Sequence, residues 1–582
     1  MNRIWIATIA LVFFGALAVS AQDGELSEMA PHEGVPQETQ EAIGGLPFTG
    51  EIDVTVVNVN VYVTDKQGRV VTDLKADDFV LTQDGTAKAI TNFVLFTDEI
   101  YRSYYRENQA PTGQPTPTPV PGAEALSKDS FRPVYVVLYF DNENSRAIER
   151  NRLITQLRTF IRENLHPPVQ MMVISYQKSY EVIQAFTDDP REIYDALREI
   201  KMYTGGRTEV DNARKDILRQ FADSQRSSGN NVSAMSRSHG MMIGFAEEEA
   251  NSLQFTLGAL RDTLTMLSGL PGKKMVIYVS NGLPMIAGLD LFYAFANTYH
   301  ESSAITESAR YNMNRHFTSL VSNANAQDIS FYTFGVGGLE NPTLSSAELG
   351  SNTDTMSASL GMQNYLDPLR FMADSTGGAA IVSTNDFVRG LEKVGQDFFT
   401  YYSLGYNLNQ TGLDKVHRIK VELKNHPDYR LRYRQRFVEK SLESRVQDKV
   451  VTGLMFPLDD NPMQIMVEIG DQGPAGETRW MVPIELTFPL RRVALLPTGD
   501  DYVGNLTMFI AARNTNGERS DVVRQNHEIR VKAADYEDAQ LRRYAITANL
   551  LMEKGTHNVA VGILDPVTRN ASFTTTKVTV RE

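Results

Sequence analysis

The chain reads as multidomain α/β plus all-β, with a central doubly wound α/β domain between a small N-terminal β module and a C-terminal β-sandwich. Three observations predict this. Val134–Phe140 is an unbroken apolar run closed by Asp141, the pattern of a strand buried on both faces of a mostly parallel sheet. From Phe131 to about residue 400 such runs alternate with helical patterns, the order expected of a doubly wound sheet. After residue 439, five stretches alternate apolar and polar residues with turn signals between them, which predicts a sandwich of the immunoglobulin or fibronectin type. A length of 582 residues exceeds what one core supports, so three or four domains are expected.

Taken in order, residues 1–21 have the layout of a secretory signal peptide. Arg3 precedes an apolar run from Ile4 to Ala18, and Val19-Ser20-Ala21 supplies a cleavage site after Ala21. The run is shorter than the roughly 20 residues of a membrane span, and no Cys follows it to carry a lipid. A secreted or periplasmic product with no membrane span after cleavage is expected. Residues 22–49 are acidic and aperiodic and read as a linker. Residues 50–98 form the small β module: Val57, Val59, Val61 and Val63 alternate with polar positions, and Asp84-Gly85 is a hairpin turn between Phe79–Leu81 and Ile90–Phe93. Asp77-Asp78 fits a turn or helix cap better than a metal pair. Residues 99–130 contain the Pro/Thr-rich stretch Ala110–Gly122, an extended spacer.

The α/β domain is assigned to residues 131–400. Its strands are expected at Val134–Asp141, Met171–Tyr176, Met275–Val279, Ile329–Val336 and Ala379–Ser383, with Tyr180–Phe186 as an antiparallel edge. Leu253, Leu257, Leu260, Leu264 and Leu267 mark a long amphipathic helix. Gln225–His239 and Asn341–Gln363, rich in Ser and Asn, read as insertions. Residues 401–438 are a β extension and 439–582 the sandwich.

A formal net charge of −14 with no basic run argues against nucleic acid as a partner. The absence of Cys removes disulfides, thiolate metal sites and cysteine nucleophiles. HExxH, GxSxG and P-loop patterns are missing, and no two His residues stand at a metal-ligand spacing. The reading is therefore not an enzyme, and a small-molecule substrate is not expected.

In doubly wound sheets ligands bind beyond the carboxyl ends of the strands, which is where Asp141 stands. The segment Asp141-Asn142-Glu143-Asn144-Ser145 resembles the DxSxS loop of von Willebrand factor type A domains. The flanks VTDKQGRVVTDLKADDFVLTQDG (Val63–Gly85) and YYSLGYNLNQTG with HRIKVELK (Tyr401–Lys424) resemble those of the VWFA-related family described mainly from Acidobacteria. Together the similarity covers about residues 50–440. It implies a Rossmann-like A domain, and by analogy binding of a protein partner. In A domains a divalent cation is held by DxSxS, a Thr from a second loop and an Asp from a third, and a partner's carboxylate completes the coordination. The matching positions are Asp141 and Ser145, with Glu143 in place of the first Ser. Thr208 (or Thr204) stands in the second loop, and Asn281 where the third has Asp. The negative charge is kept but moved. Either Mg²⁺ or another divalent cation binds these residues, or the fold has kept its shape and lost its ion.

The function that follows is an exported, non-catalytic adhesion or scaffolding protein engaging a partner at this edge. Two alternatives stay open. One is a carbohydrate-active or hydrolytic accessory protein working through the sandwich, where Trp480 and several Tyr residues stand. The other is a metal-free structural envelope protein.

Overall fold

The computed structural model describes residues 56–101, 133–226, 231–339, 355–408, 414–458 and 460–581. The expected signal peptide, the linker after it and most of the Pro-rich spacer lie outside the described residues.

Near the N-terminus come β1 (Val56–Thr64), β2 (Phe79–Gln83), β3 (Thr86–Lys88) and β4 (Asn92–Phe96). The Asp84-Gly85 turn joins β2 to β3, not to the Ile90–Phe93 segment. Both turn residues have positive φ, 50° and 82°, as a tight two-residue hairpin requires. Asp78 caps a short 3-10 turn by accepting from the Lys75 N–H at 2.8 Å.

The central sheet has six strands: β5 (Val134–Asp141), β6 (Val169–Gln177), β7 (Ser179–Thr187), β8 (Lys273–Ser280), β9 (Ile329–Gly335) and β10 (Ala379–Ile381). Their spatial order is β10-β9-β8-β5-β6-β7. All neighbours are parallel except β7, which runs antiparallel to β6 at the edge. The chain builds outward from β5 through β6 to β7, then returns to β5's other side as β8. The switch point of a doubly wound sheet therefore lies between the ends of β5 and β8. Nine helices accompany the sheet among the described residues: α1 (Ala147–Asn164), α2 (Pro190–Ile200), α3 (Arg207–Arg226), α4 (Asn231–Leu267), α5 (Leu289–Tyr299), α6 (Ser303–Glu307), α7 (Asn314–Ala326), α8 (Thr355–Ser375) and α9 (Val388–Phe399).

The run of β5 is apolar throughout because both faces are covered. Val136, Leu138 and Phe140 pack with Leu153, Ile154 and Leu157 of α1. Val137 and Tyr139 pack with Leu257, Leu260 and Leu264 of α4. The stretch Gln225–His239, expected as an insertion, is largely the start of α4. Its Ser238 hydroxyl pairs with the Tyr299 hydroxyl at 2.8 Å and His239 meets Glu307 at 2.8 Å, so tertiary contacts hold a weak helix former in place. Likewise α8 begins at Thr355, inside the second expected insertion.

After α9 come β11 (Tyr401–Asn407), β12 (Lys415–Leu423), β13 (Arg430–Arg432) and β14 (Arg436–Glu439). These do not form an extension of their own. β11 pairs with β1 and β4, and β12 pairs with β2. Val57, Val59, Val61 and Val63 share one core with Tyr402, Leu404, Ile419 and Val421. The segments 50–98 and 401–438, read separately from the sequence, are thus two halves of one β module with the α/β unit inserted between them. The halves are pinned to that unit by Arg432, which ion-pairs with buried Asp397 of α9 at 2.8 Å.

A helix not anticipated from the sequence, α10 (Leu442–Gly453), leads into the C-terminal part. It docks on the end of α4, where Gly269 donates to Thr452 Oγ1 at 2.8 Å. Next come β15 (Met466–Ile469), β16 (Gly473–Pro474), β17 (Arg479–Pro489), β18 (Leu496–Thr498), β19 (Asp501–Asn514), β20 (Val523–Lys532), β21 (Arg543–Glu553), β22 (Gly555–Leu564) and β23 (Ala571–Val580). β15, β16, β17 and β21 form one sheet and the others a second. Alternate residues of both meet in one core, among them Val482, Ile484 and Leu550 against Met508, Ile510 and Val561. No helix among the described residues is long and apolar enough to cross a membrane.

Candidate functional site

Three turns meet at the switch point. The first follows β5, the second precedes α3 and the third follows β8. Gly206 N–H of the second donates to the Asn142 carbonyl of the first at 2.8 Å, and Asn281 N–H of the third donates to the Asn144 carbonyl at 2.9 Å. Gly205, with φ of +68°, passes so close to the first turn that a Cβ there would lie 2.2 Å from the Ser145 carbonyl oxygen. Only glycine tolerates both the left-handed backbone and that approach.

Asp141 ends β5 with 0% of its surface exposed. Its carboxylate accepts from the Tyr278 hydroxyl, from Asn144 N–H at 3.0 Å and from Asn144 Nδ2 at 2.9 Å. Burial pushes the carboxyl up to about 6, against the downward pull of these hydrogen bonds. Asn144 Nδ2 also reaches Thr256 Oγ1 of α4 at 3.3 Å. Asp141 is therefore almost saturated with donors from its own fold.

Glu143 and Ser145 differ from it. Glu143 Oε2 and Ser145 Oγ are both buried, and neither has a hydrogen-bond partner among the described residues. A buried oxygen without a donor is costly. Others in the described fold include the Tyr139 and Tyr406 hydroxyls and Asp290 Oδ1, and these two differ from them in standing on one turn beside Asp141. Asn281 is committed elsewhere: its Oδ1 accepts from Arg146 N–H at 3.0 Å and its Nδ2 donates to the Glu149 carboxylate. Thr208 lies in the first turn of α3 and is exposed, as is Thr204 in the loop before it. Among the described residues no group of three or more His, Asp or Glu side chains is arranged to hold a metal ion. A site here would rest on one carboxylate and a hydroxyl, a set that suits a hard cation such as Mg²⁺ that keeps several waters.

Sequence reasoning missed the layer behind these turns. Arg146 pairs with Asp211 at 2.6 Å and Glu149 at 3.0 Å. Arg207 pairs with Asp211 at 2.9 Å and lies 4.0 Å over the Tyr365 ring. Burial opposes the charge on Arg207, but Tyr365, Asp211 and Glu249 outweigh it and raise its pKa. Arg150, fully buried, donates to Asn142 Oδ1 at 2.5 Å and to the Tyr203 carbonyl at 2.9 Å. A signal for Arg150 existed, since it sits three and four residues before Leu153 and Ile154 on the buried stripe of α1. Tyr278, inside an apolar strand, gave none.

Four large apolar side chains stand out into solvent on segments that adjoin these turns: Ile148 at 82%, Met202 at 81%, Phe255 at 71% and Leu339 at 69% exposure. Ile148 opens α1, Met202 precedes the second turn, Phe255 is next to Thr256, and Leu339 follows β9.

No family model matches the chain, and no curated protein matches it by sequence. Solved structures give distant likenesses. A β-glucuronidase from Bacteroides uniformis matches at 9% identity and a TM-score of 0.14, over 20% of this chain and 13% of that one. The chain thus spans about an eighth of the glucuronidase's length. The vWF domain of the type V pili tip protein Mfa5 from Porphyromonas gingivalis matches at 12% identity and a TM-score of 0.23, over 46% of this chain and 94% of that one. The PilB minor pilin from Streptococcus sanguinis matches at 11% identity and a TM-score of 0.23, over 50% and 67% respectively.

Proposed function

We propose that this is an exported, non-catalytic protein-binding protein, adhesive or scaffolding, that engages a protein partner at the rim between β5 and β8 through a divalent cation. The observation that carries the reading is the pair of buried oxygens without a donor among the described residues, Glu143 Oε2 and Ser145 Oγ, with exposed Ile148, Met202, Phe255 and Leu339 on elements that adjoin the turns. Glu143 and Ser145 would hold the ion, with Asp141 behind them, Thr208 at the outer edge and Asn281 fixing the third turn. When bound, the ion supplies a positive centre for a partner's carboxylate. The apolar side chains supply contact area around it, as interfaces use an apolar core with a polar centre or rim.

Titration calorimetry of the full chain with Mg²⁺ and with Mn²⁺ tests this. Heat from one cation, weakened at least tenfold by Ser145→Ala and by Glu143→Gln, is the expected result. No heat from either ion removes the metal. A pull-down from envelope extract with and without chelator then separates metal-dependent from metal-independent capture.

A second reading has its own support. The Asp141 carboxylate already has donors on both oxygens, which suits a rim that works without metal, as in a structural envelope protein. The sugar-site alternative fares differently. Trp480, Tyr502, Tyr536 and Tyr544 pack against the sandwich core, and Tyr502 and Tyr536 stack on each other with centroids 3.9 Å apart.

A further inference from the structure

A second concavity lies where the α/β unit meets the sandwich, about 15 Å along α4 from Thr256 at 1.5 Å per residue. It is a cleft of about 270 Å³. Its floor is apolar, from Met266 at the end of α4 and Val451 and Leu454 at the end of α10. Its outer wall is the hairpin that follows β19. There Arg513 and Arg519 face each other as an antiparallel bridge, and both line the cleft. Directly opposed residues of such a bridge send their side chains off the same face about 5 Å apart, and like charges so placed repel.

Among the described residues no hydrogen bond or ion pair closes on either guanidinium to offset that repulsion; only the longer-range attraction of Asp262 for Arg519 acts against it. Glu518, between them in sequence, is held by Asn514 Nδ2 at 2.6 Å. Asp262 across the cleft feels Arg519 electrostatically, without an ion pair closing. The turn also makes room for Arg513: Gly517 has φ of +90°, and a Cβ there would lie 3.2 Å from Arg513 Nη2. Two guanidiniums on bridged positions, Arg513 half-buried and Arg519 exposed, line one cleft over an apolar floor without an ion pair, an arrangement that suits an anion. Arginine grips carboxylate and phosphate through paired N–H donors.

We propose that this cleft binds a small hydroxylated organic anion, a sugar acid or sugar phosphate, with its oxyanion between Arg513 and Arg519 and a hydroxyl donating to Asp262. The volume is below the ~300 Å³ at which drug-sized sites begin, so the ligand is of single-ring size. The site is independent of the cation rim and stands or falls without it.

The test is calorimetry of the full chain at low ionic strength with galacturonate, glucose 1-phosphate, inorganic phosphate and neutral galactose as probes. One of the two sugar anions is expected to bind more tightly than inorganic phosphate, and galactose not at all. Arg513→Gln and Arg519→Gln should each weaken that binding at least tenfold. In the absence of ligand both variants should melt at or above the wild-type temperature, because each removes one of two facing like charges. Several outcomes overturn the proposal: no binding of either sugar anion, equal binding of galactose, binding unchanged in both variants, or ligand-free melting temperatures several degrees below wild type. Preference for galacturonate over glucose 1-phosphate, or the reverse, assigns the head group.

Discussion

Gly205→Ala tests whether the second turn presses on the first as described. The added Cβ would lie 2.2 Å from the Ser145 carbonyl oxygen and 3.1 Å from Ala147 N, with the residue held at φ of +68°. A left-handed backbone costs an L-residue about 1–2 kcal/mol. Forcing an extra carbon into a closed contact costs about 1–3 kcal/mol more, since the atom met is backbone and cannot rotate away. The expected loss is about 2–5 kcal/mol. Gly240→Ala supplies a control of opposite sign. Gly240 lies inside α4 with nothing within 4 Å of its added Cβ, so alanine there should gain roughly 0.5–1 kcal/mol through helix propensity. Urea unfolding followed by far-ultraviolet circular dichroism compares both variants with wild type at equal slope. A loss below about 0.5 kcal/mol for Gly205→Ala, inside the usual range of surface changes, would mean that the turns do not meet as placed. The cation geometry would then have no basis.

Three further outcomes follow from buried charge. Asn281→Asp, which restores the residue expected by resemblance, replaces the amide donor facing the Glu149 carboxylate with a second carboxylate; stability at neutral pH should fall by about 2–4 kcal/mol, and adding Glu149→Gln should recover most of it in a double-mutant cycle. Arg432→Met leaves Asp397, whose other side-chain partner is the Tyr332 hydroxyl at 2.9 Å, buried without its cation. The cost should be about 3–5 kcal/mol, with faster proteolysis between the β module and the α/β unit. Lys274 is buried, donates to the Leu270 carbonyl at 2.9 Å, and is lowered by burial to about 8. An unfolded lysine keeps its proton to about 10.4. Between these values the unfolded chain therefore binds more protons, and stability should rise with pH. Urea midpoints from pH 7.5 to 10 should climb in wild type and climb less steeply in Lys274→Met, where Lys273, lowered by burial to about 7, still contributes; an unchanged slope would rule out Lys274 as a source.

What the sequence made legible was whatever a single segment records. Val136–Phe140 is apolar at every position because helices cover both faces of β5, and Val57 to Val63 alternate because only one face of β1 meets a core. Partner choice is not recorded that way. β1 pairs with β11 across the whole inserted α/β unit, and no local period encodes which distant strand closes a sheet. The Ser-rich start of α4 misled for a related reason, since its helicity is enforced by Tyr299 and Glu307 and not by propensity. At the rim, the positions of Asp141, Glu143, Ser145 and Asn281 on two converging turns follow from strand ends alone. Their hydrogen-bond partners do not. Tyr278 and Glu149 are ordinary residues in ordinary elements until the fold brings them to Asp141 and Asn281.

That partner layer accounts for an amide, not a carboxylate, at position 281. Glu149 and Arg146 occupy both ends of the Asn281 amide, so a carboxylate at 281 would face another carboxylate with no donor between them. The third turn must then be neutral. Asp141 lies deeper, its oxygens already accepting from Tyr278 and Asn144. Glu143 is left as the acidic group of the three turns with a carboxylate oxygen unclaimed. It sits against Gly206, whose added Cβ would lie 3.3 Å from the Glu143 carboxyl carbon, just before the start of α3. A helix N-terminus offers N–H donors and partial positive charge, so a metal-free rim had a ready way to satisfy Glu143. Among the described residues that carboxylate oxygen accepts no donor, and neither does Ser145 Oγ two residues on. Under the proposed cation reading, these are the two oxygens that would take the ion, so Glu143→Gln and Ser145→Ala should each weaken Mg²⁺ or Mn²⁺ binding while Asn281→Ala acts only through the third turn.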